Sequence, residues 1–201
     1  MTLNTTLAPT GQHHTTGLIL AGGEGRRVGG RDKGLVEWRG EPLVAHVLAR
    51  LSPQVDQVII SCNRNQDRYR ELSPALVSDL RRGHAGPLAG IEAAAPEIAG
   101  PFLVVVPCDV PLLPPDLVPR LLRALAAEGG DAIDVAYAAD GQRSHWLCAA
   151  MHTGVLATLG GQLDRGSGAV REWYATLNAV AVDFSDCAGG FRNLNRIDDW
   201  G

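Results

Sequence analysis

The chain has 201 residues, 45% of them apolar and 20% charged, with a formal net charge of −4 and a pI near 5.8. That is enough chain to bury the core of one compact domain, with an ordinary globular composition. The mild acidity disfavours a general nucleic-acid binder, and no apolar run approaches the roughly 18 residues of a membrane helix.

Met1–Thr16 lacks a basic leader and an apolar core, so it does not read as a signal peptide. Its Thr, Pro, Gly and His content reads as a disordered tail over residues 1–15, ahead of one domain over 16–201. Leu18-Ile19-Leu20-Ala21 is then an apolar run that stops abruptly in glycines. A buried parallel strand reads this way where it opens into a loop at its carboxyl end. Gly22–Gly34 holds six glycines together with Arg26, Arg27, Arg31 and Lys33. Backbone N–H groups freed of Cβ atoms form a concave anion site, and fixed cations beside them suit phosphate. Val28 stands where a dinucleotide fingerprint needs glycine. Lys33 sits in Asp32-Lys33-Gly34 rather than in a Gly-Lys-Ser/Thr P-loop, so both of those cradles are excluded.

Leu35–Trp38 reads as a short extended piece turned by Arg39-Gly40, and Pro42 opens a helix over Leu43–Leu51. Gln57–Cys62 is a second strand, followed by Asn63. A weak helix, Gln66–Leu72, precedes a third strand at Ala75–Val77, with Asp79 just beyond it. Gly86-Pro87-Leu88-Ala89-Gly90 begins a helix that Pro96 stops. Pro101–Val106 is the most hydrophobic run and hence the predicted central strand. It ends in Pro107-Cys108-Asp109-Val110-Pro111, and a helix then runs from Pro114-Pro115-Asp116 to Glu128, closed by Gly129-Gly130. The alternation predicts a Rossmann-like, three-layer α/β/α fold with a mostly parallel sheet. Ligands of such sheets bind beyond the carboxyl ends of the strands, where the Gly22 loop, Asn63, Asp79 and Asp109 all fall. The second half is less regular. Ala132–Tyr137 and Trp146–Met151 read as strands joined by a turn at Asp140-Gly141. Val155–Gly160 is a short helix; Leu163–Thr176 holds Arg165-Gly166-Ser167-Gly168 and then a helix rich in aromatics, Trp173 and Tyr174, ahead of a last strand at Ala179–Phe184.

Cys62, Cys108, Cys148 and Cys187 are far apart and show no zinc spacing, which suits thiols kept reduced in the cytoplasm. Asp109, alone after an apolar strand, is a natural ligand for Mg²⁺ carried on phosphates. Capping a helix is the competing role for an Asp, but Pro111 and Pro115 place that helix start later. Lys33 and Arg27 are fixed cations suited to stabilising phosphate charge, unless they pair with Glu24 or Asp32. Asp79 offers two acceptor oxygens that can take two adjacent ligand donors at once; the competing role is an ion pair with Arg81 or Arg82.

These segments carry a resemblance. Leu20-Ala21-Gly22-Gly23, Arg27, Gly29-Gly30 and Asp32-Lys33-Gly34-Leu35 resemble the L-A-G-G-x-G-x-R-M-G-x-x-K signature of nucleotidyltransferases, with Val28 in place of Met. Within that group, G-G-x-D-K-G-L resembles the molybdenum cofactor guanylyltransferases. So do Pro107-Cys108-Asp109, Gly86–Gly90, Asp183–Asp186 and Asn193-Leu194-Asn195. The resemblance implies a cytoplasmic enzyme that moves GMP from GTP to molybdenum-bound molybdopterin. It implies Leu20, Ala21, Gly22, Gly23, Lys33, Asp79 and Asp109 at GTP, Lys33 and Arg27 in catalysis, and Mg²⁺ on Asp109. It also implies hand-over of the product to molybdoenzymes or delivery proteins. Ser61 replaces a usual Asn, leaving the base contact to Ser61 or Asn63, and Ser144-His145-Trp146-Leu147 departs from a usual D-H-P-T. The alternatives are a cytidylyl- or uridylyltransferase acting on a pterin or sugar phosphate, and a non-catalytic nucleotide-binding module that delivers cofactor.

Overall fold

Apolar runs, five of them of five or six residues, become the strands of one seven-stranded sheet together with a two-residue and a nine-residue strand. The computed structural model describes residues 14–23, 31–73, 75–81, 86–127, 132–166 and 168–194. In chain order the elements begin with β1 (Thr15–Leu20), β2 (Glu37–Trp38), β3 (Glu41–Pro42), α1 (Leu43–Leu51), β4 (Gln57–Ser61), α2 (Gln66–Arg70) and β5 (Leu76–Val77). They continue with α3 (Pro87–Ala94), β6 (Phe102–Pro107), α4 (Leu117–Leu125), β7 (Val135–Ala139), β8 (Ser144–His152), α5 (Leu159–Asp164), α6 (Val170–Tyr174) and β9 (Ala179–Asp183).

The seven-stranded sheet runs β5-β4-β1-β6-β8-β7-β9, which puts β6 at its centre as its hydrophobicity predicts. β5, β4, β1 and β6 are parallel; β8 runs antiparallel to both β6 and β7, and β9 is parallel to β7. The two-residue side-chain period divides each strand between two cores. Ile19, Ile60, Val104 and Val106 pack with Val44, Val47 and Leu51 of α1 and with Leu117, Leu121 and Leu125 of α4. Leu18, Ile59, Leu103 and Val105 pack with Leu88 and Ile91 of α3, Leu163 of α5 and Trp173 of α6. This is the predicted three-layer arrangement. Removing one such side chain, as in Leu121→Ala, costs about 2–5 kcal/mol.

Several boundaries move. The expected tail over 1–15 is too long, because Thr15 already opens β1 and the His14 ring bonds the Ala99 carbonyl oxygen at 3.0 Å. The Leu35–Trp38 piece is a 3-10 turn over Lys33–Leu35 followed by a β2–β3 hairpin. The positive φ of both Arg39 (53°) and Gly40 (85°) gives the turn the twist that hairpins favour. α4 ends at Leu125, short of the expected Glu128, and the Gly129-Gly130 stop lies outside the described residues. The aromatic helix expected after Arg165–Gly168 is α6, and α5 ends at Asp164, just before Gly166 takes φ +80°. Val155–Gly160 is mostly a 3-10 segment, Thr153–Thr158, leading into α5.

Candidate functional site

The parallel ladders continue past the strand ends and set the loops in register. Ala21 N–H donates to the Ser61 carbonyl at 2.8 Å, Cys62 N–H to Val77 at 2.9 Å, and Cys108 N–H to Leu20 at 3.1 Å. Gly22, Asn63, Asp79 and Asp109 therefore leave the sheet along one edge, as the strand order requires.

Asn63 brackets the first part of that edge. Its Nδ2 donates to Asp79 Oδ2 at 2.8 Å and to the Gly22 carbonyl at 3.3 Å, while its Oδ1 accepts the Asp79 N–H at 2.9 Å. Asp79 stays half-buried, and its Oδ1 accepts no bond from another described residue. The competing ion pair with Arg81 is absent. Arg81 instead grips Glu92 of α3 through Nε and Nη2, both at 2.8 Å, and Asp164 of α5 through Nη1 at 2.6 Å. Arg82 lies outside the described residues. Ser61 is buried at 1% exposure, with its Oγ against Gly90, where a Cβ would come within 2.7 Å. Of the two residues left open for base contact, the geometry places Asn63 at the edge and Ser61 under α3.

Lys33 reaches the other part. Asp32 does not pair with it. The Asp32 Oδ1 accepts the Tyr69 hydroxyl at 2.6 Å, and its Oδ2 accepts Asn65 Nδ2 at 3.0 Å. The 3-10 turn that follows closes through Leu35 N–H to Asp32 O at 3.1 Å and Val36 N–H to Lys33 O at 3.2 Å. Burial above all, then the Asp32 bond, pushes the Tyr69 phenol far above its usual pKa, so it remains a neutral donor. A Cβ on Gly34 would overlap that hydroxyl, which is why glycine follows Lys33. The turn delivers Lys33 Nζ into a direct ion pair with Asp109 Oδ2. Asp109 is 8% exposed, and it does not cap α4, whose N-cap residue is Asp116.

The thiols are no rivals for the chemistry. Burial first, then the Asp109 charge, raises Cys108 far above its usual value, and burial raises Cys62 to about 11. All four cysteines are free, and three are buried. Among the described residues no three or more His, Cys, Asp or Glu side chains gather to hold a metal. Mg²⁺ needs no such cage, because one or two carboxylates, substrate phosphates and water complete its shell. Asp109, its side chain 11% exposed beside an ammonium, fits that donor pattern.

Beyond Asp109 lie the other segments that carried the resemblance. Leu194 N–H donates to the Asp109 carbonyl at 3.0 Å, which docks the Asn193-Leu194 segment on the site. Gly86, at φ +74°, lies so near Gly168 that a Cβ would stand 3.0 Å from its carbonyl oxygen. Asp183–Asp186 is structural. The Asp183 carboxylate caps Ser185, and Arg120 of α4 holds Asp186 at 3.0 Å. Arg27, Arg26, Glu24 and Asn195 lie outside the described residues. Leu20 and Ala21 contribute the backbone frame described above, while the Gly22 and Gly23 carbonyls accept Asn63 and Arg64 side chains. Sequence reasoning missed Asn65 and Tyr69 and the pairing of Asp140 with His145. The turn signal at Asp140-Gly141 and the Ser144–Leu147 segment of the resemblance touched the last two without joining them.

Residues 17–180 match the MobA-like NTP transferase domain family. The chain is 43% identical over 178 residues to a molybdenum cofactor guanylyltransferase of Shewanella loihica, covering 89% of each. It is 39% identical over 186 residues to the one from Shewanella putrefaciens, covering 92% of this chain and 94% of that one. Among solved structures it is similar to molybdopterin-guanine dinucleotide biosynthesis protein A from Archaeoglobus fulgidus, with a TM-score of 0.72, 25% identity, and coverage of 92% of this chain and 94% of that one.

Proposed function

The chain belongs to the MobA-like NTP transferase domain family, and from that premise we propose that it transfers GMP from GTP to the phosphate of molybdenum-bound molybdopterin. The relatives named as molybdenum cofactor guanylyltransferases support the substrates. One observation in the molecule carries the reading. An ammonium and a carboxylate, Lys33 and Asp109, meet on the same sheet edge where Asn63 holds a second carboxylate, Asp79, in a fixed pose.

In this reading a phosphate oxygen of the acceptor attacks the α-phosphorus of GTP. The new P–O bond forms as the bond to the β-phosphate oxygen breaks, and that electron pair leaves on pyrophosphate. The nucleophile is already anionic, so no general base is required, and the raised thiols have no part. What the protein supplies is position and charge. Lys33 neutralises the triphosphate, Asp79 orients guanine, and the Gly22-Gly23 turn gives the phosphates close access to backbone. Mg²⁺ bound by Asp109 together with the phosphates would neutralise charge on the departing pyrophosphate. We place the reaction in the cytoplasm, where the free thiols persist. Among the described residues no helix is long and apolar enough to cross a membrane.

The test supplies each of the four nucleoside triphosphates with Mg²⁺ and molybdenum-bound molybdopterin, and follows pyrophosphate and dinucleotide. Release with GTP that requires the pterin is expected. Preference for CTP or UTP, or release without the acceptor, overturns the reading.

A further inference from the structure

His145 and Asp140 form a buried pair that the transfer chemistry above does not use. Their side chains are 10% and 7% exposed, and His145 Nε2 lies 2.9 Å from Asp140 Oδ2. The other carboxylate oxygen accepts the N–H groups of Gln142 at 2.9 Å and Arg143 at 2.8 Å. Burial opposes its charge, but the Arg143, His145 and Gln142 bonds outweigh that and hold Asp140 down to about 2, so it is ionised. An ionised acceptor fixes the proton of the imidazole on Nε2 and locks the plane of the ring.

The ring is placed by an irregularity of the sheet. Tyr137 pairs with Ala149, yet the next β7 residue, Ala138, pairs with His145. One step on β7 thus spans four on β8, and three residues, Trp146, Leu147 and Cys148, are extra. Bulges of this kind re-aim side chains and occur beside active sites. This one lies next to the carboxyl end of β6, the strand that delivers Asp109.

From there contacts run directly to the site. The His145 ring stacks on Phe191 with centroids 4.5 Å apart and planes at 18°. Phe191 packs edge-on against Phe184 at 5.3 Å, and Arg120 covers Phe184 at 3.9 Å. Three residues on, Leu194 is anchored to the Asp109 backbone. Phe191 and Leu194 are buried, whereas Arg192 and Asn193 between them are exposed. The segment is a strap, pinned at one end by His145 and at the other by Asp109.

We propose that His145, oriented by Asp140, is a positioning residue for the transfer: it holds the Phe191–Leu194 strap against Asp109 and so shapes the acceptor side of the site. The proposal rests on the guanylyl-transfer reading for its kinetic consequence, but not for its structural one. The strap's bond to the site runs through Asp109, beyond β6, and the Asn63–Asp79 bracket lies beyond β4 and β5, so the two halves of the site should respond separately.

The test uses His145→Ala and a double variant, His145→Phe with Asp140→Asn, which keeps a ring on Phe191 without leaving a buried charge unpaired. Amide hydrogen exchange at Leu194 and steady-state kinetics are measured on folded samples with matched circular dichroism. In His145→Ala the Leu194 amide should exchange at least tenfold faster. Its kcat/KM for the acceptor should fall about tenfold while the Kd for GTP changes less than twofold. The double variant should recover most of both losses. Unchanged Leu194 exchange, an equal loss of GTP affinity, or a double variant as impaired as His145→Ala overturns the proposal. If the parent protein itself fails to transfer GMP, the functional reading falls, and the exchange result still decides the role of His145.

Discussion

Replacing Asp79 with alanine tests the base-reading half of the site. The Asp79 carboxylate is held from two directions, by Asn63 Nδ2 on Oδ2 and by Asn63 Oδ1 on its own N–H. An ionised carboxylate only accepts, and guanine offers N1–H and N2–H side by side. Cytosine and adenine each put an acceptor where guanine has N1–H, so either base would face an oxygen with an unshared pair. A good bidentate contact is worth about 1–3 kcal/mol of discrimination, and 1.4 kcal/mol is roughly tenfold. Asp79→Ala should therefore lower the ratio of kcat/KM for GTP over CTP or ATP by about ten- to a hundredfold. The Mg²⁺ requirement should hold, because Asp79 leaves the sheet from β5 and Asp109 from β6, with β4 and β1 between them. The fold should hold as well, since Arg81 braces the loop independently through Glu92 and Asp164. Competition assays with mixed triphosphates measure the ratio directly. If the ratio stays where it was while the variant remains folded, Asp79 does not read the base and the argument from its two oxygens fails.

Lys33→Ala removes a charge-assisted phosphate contact worth about 1.5–3 kcal/mol, so the Kd for GTP by calorimetry should rise roughly ten- to a hundredfold; unchanged affinity would return Lys33 to a purely structural pair with Asp109. Asp109→Asn should abolish Mg²⁺-dependent turnover yet keep the strap in place, because Leu194 bonds the backbone and not the carboxylate; near-normal turnover with the same Mg²⁺ titration refutes the metal role. Gly34→Ala pushes a methyl into the Tyr69 hydroxyl and should destabilise by about 1–3 kcal/mol in chemical denaturation, with Gly34→Ala plus Tyr69→Phe less affected than Gly34→Ala alone; a wild-type denaturation midpoint for the single variant refutes the clash.

The parts of this molecule that were legible in its sequence are those coded locally. An apolar run that ends in glycine or aspartate declares both a buried strand and the residue that emerges from it, and this rule found Gly22, Asp79 and Asp109. What it did not find depends on partners distant in the chain. Asp32 reads as one more surface charge until Tyr69, 37 residues away, is seen to bond it. Lys33 has two acidic neighbours in sequence, Asp32 and Glu24, but meets Asp109, 76 residues on. The antiparallel half was harder still. Trp146–Met151 shows β character, but no pattern in one sequence announces that Trp146–Cys148 will be passed over by β7. The α5–α6 break is the opposite case. Arg165-Gly166-Ser167-Gly168 carried a local break signal, and the aromatic helix read after it is α6.

The arrangement has a consequence for how rate and selectivity divide. Three charged groups stand on the sheet edge, and each is held by a neighbour. Asn63 holds Asp79, the Asp32–Tyr69–Asn65 cluster holds the turn under Lys33, and Leu194 holds the Asp109 backbone. A transfer between two phosphates needs little proton movement, so rate enhancement must come from charges that do not have to reorganise. Supports that spring from different strands meet that need independently. In the proposed reaction the β4–β5 edge would fix the base, the β1–β6 edge the triphosphate and the metal carboxylate, and the strap from beyond β9 would close the acceptor side. Substitutions in the first group should alter which nucleotide is used, and those in the second how fast any nucleotide is used. Those in the third should alter how well the acceptor is presented, with little additivity lost between groups whose contacts are not shared.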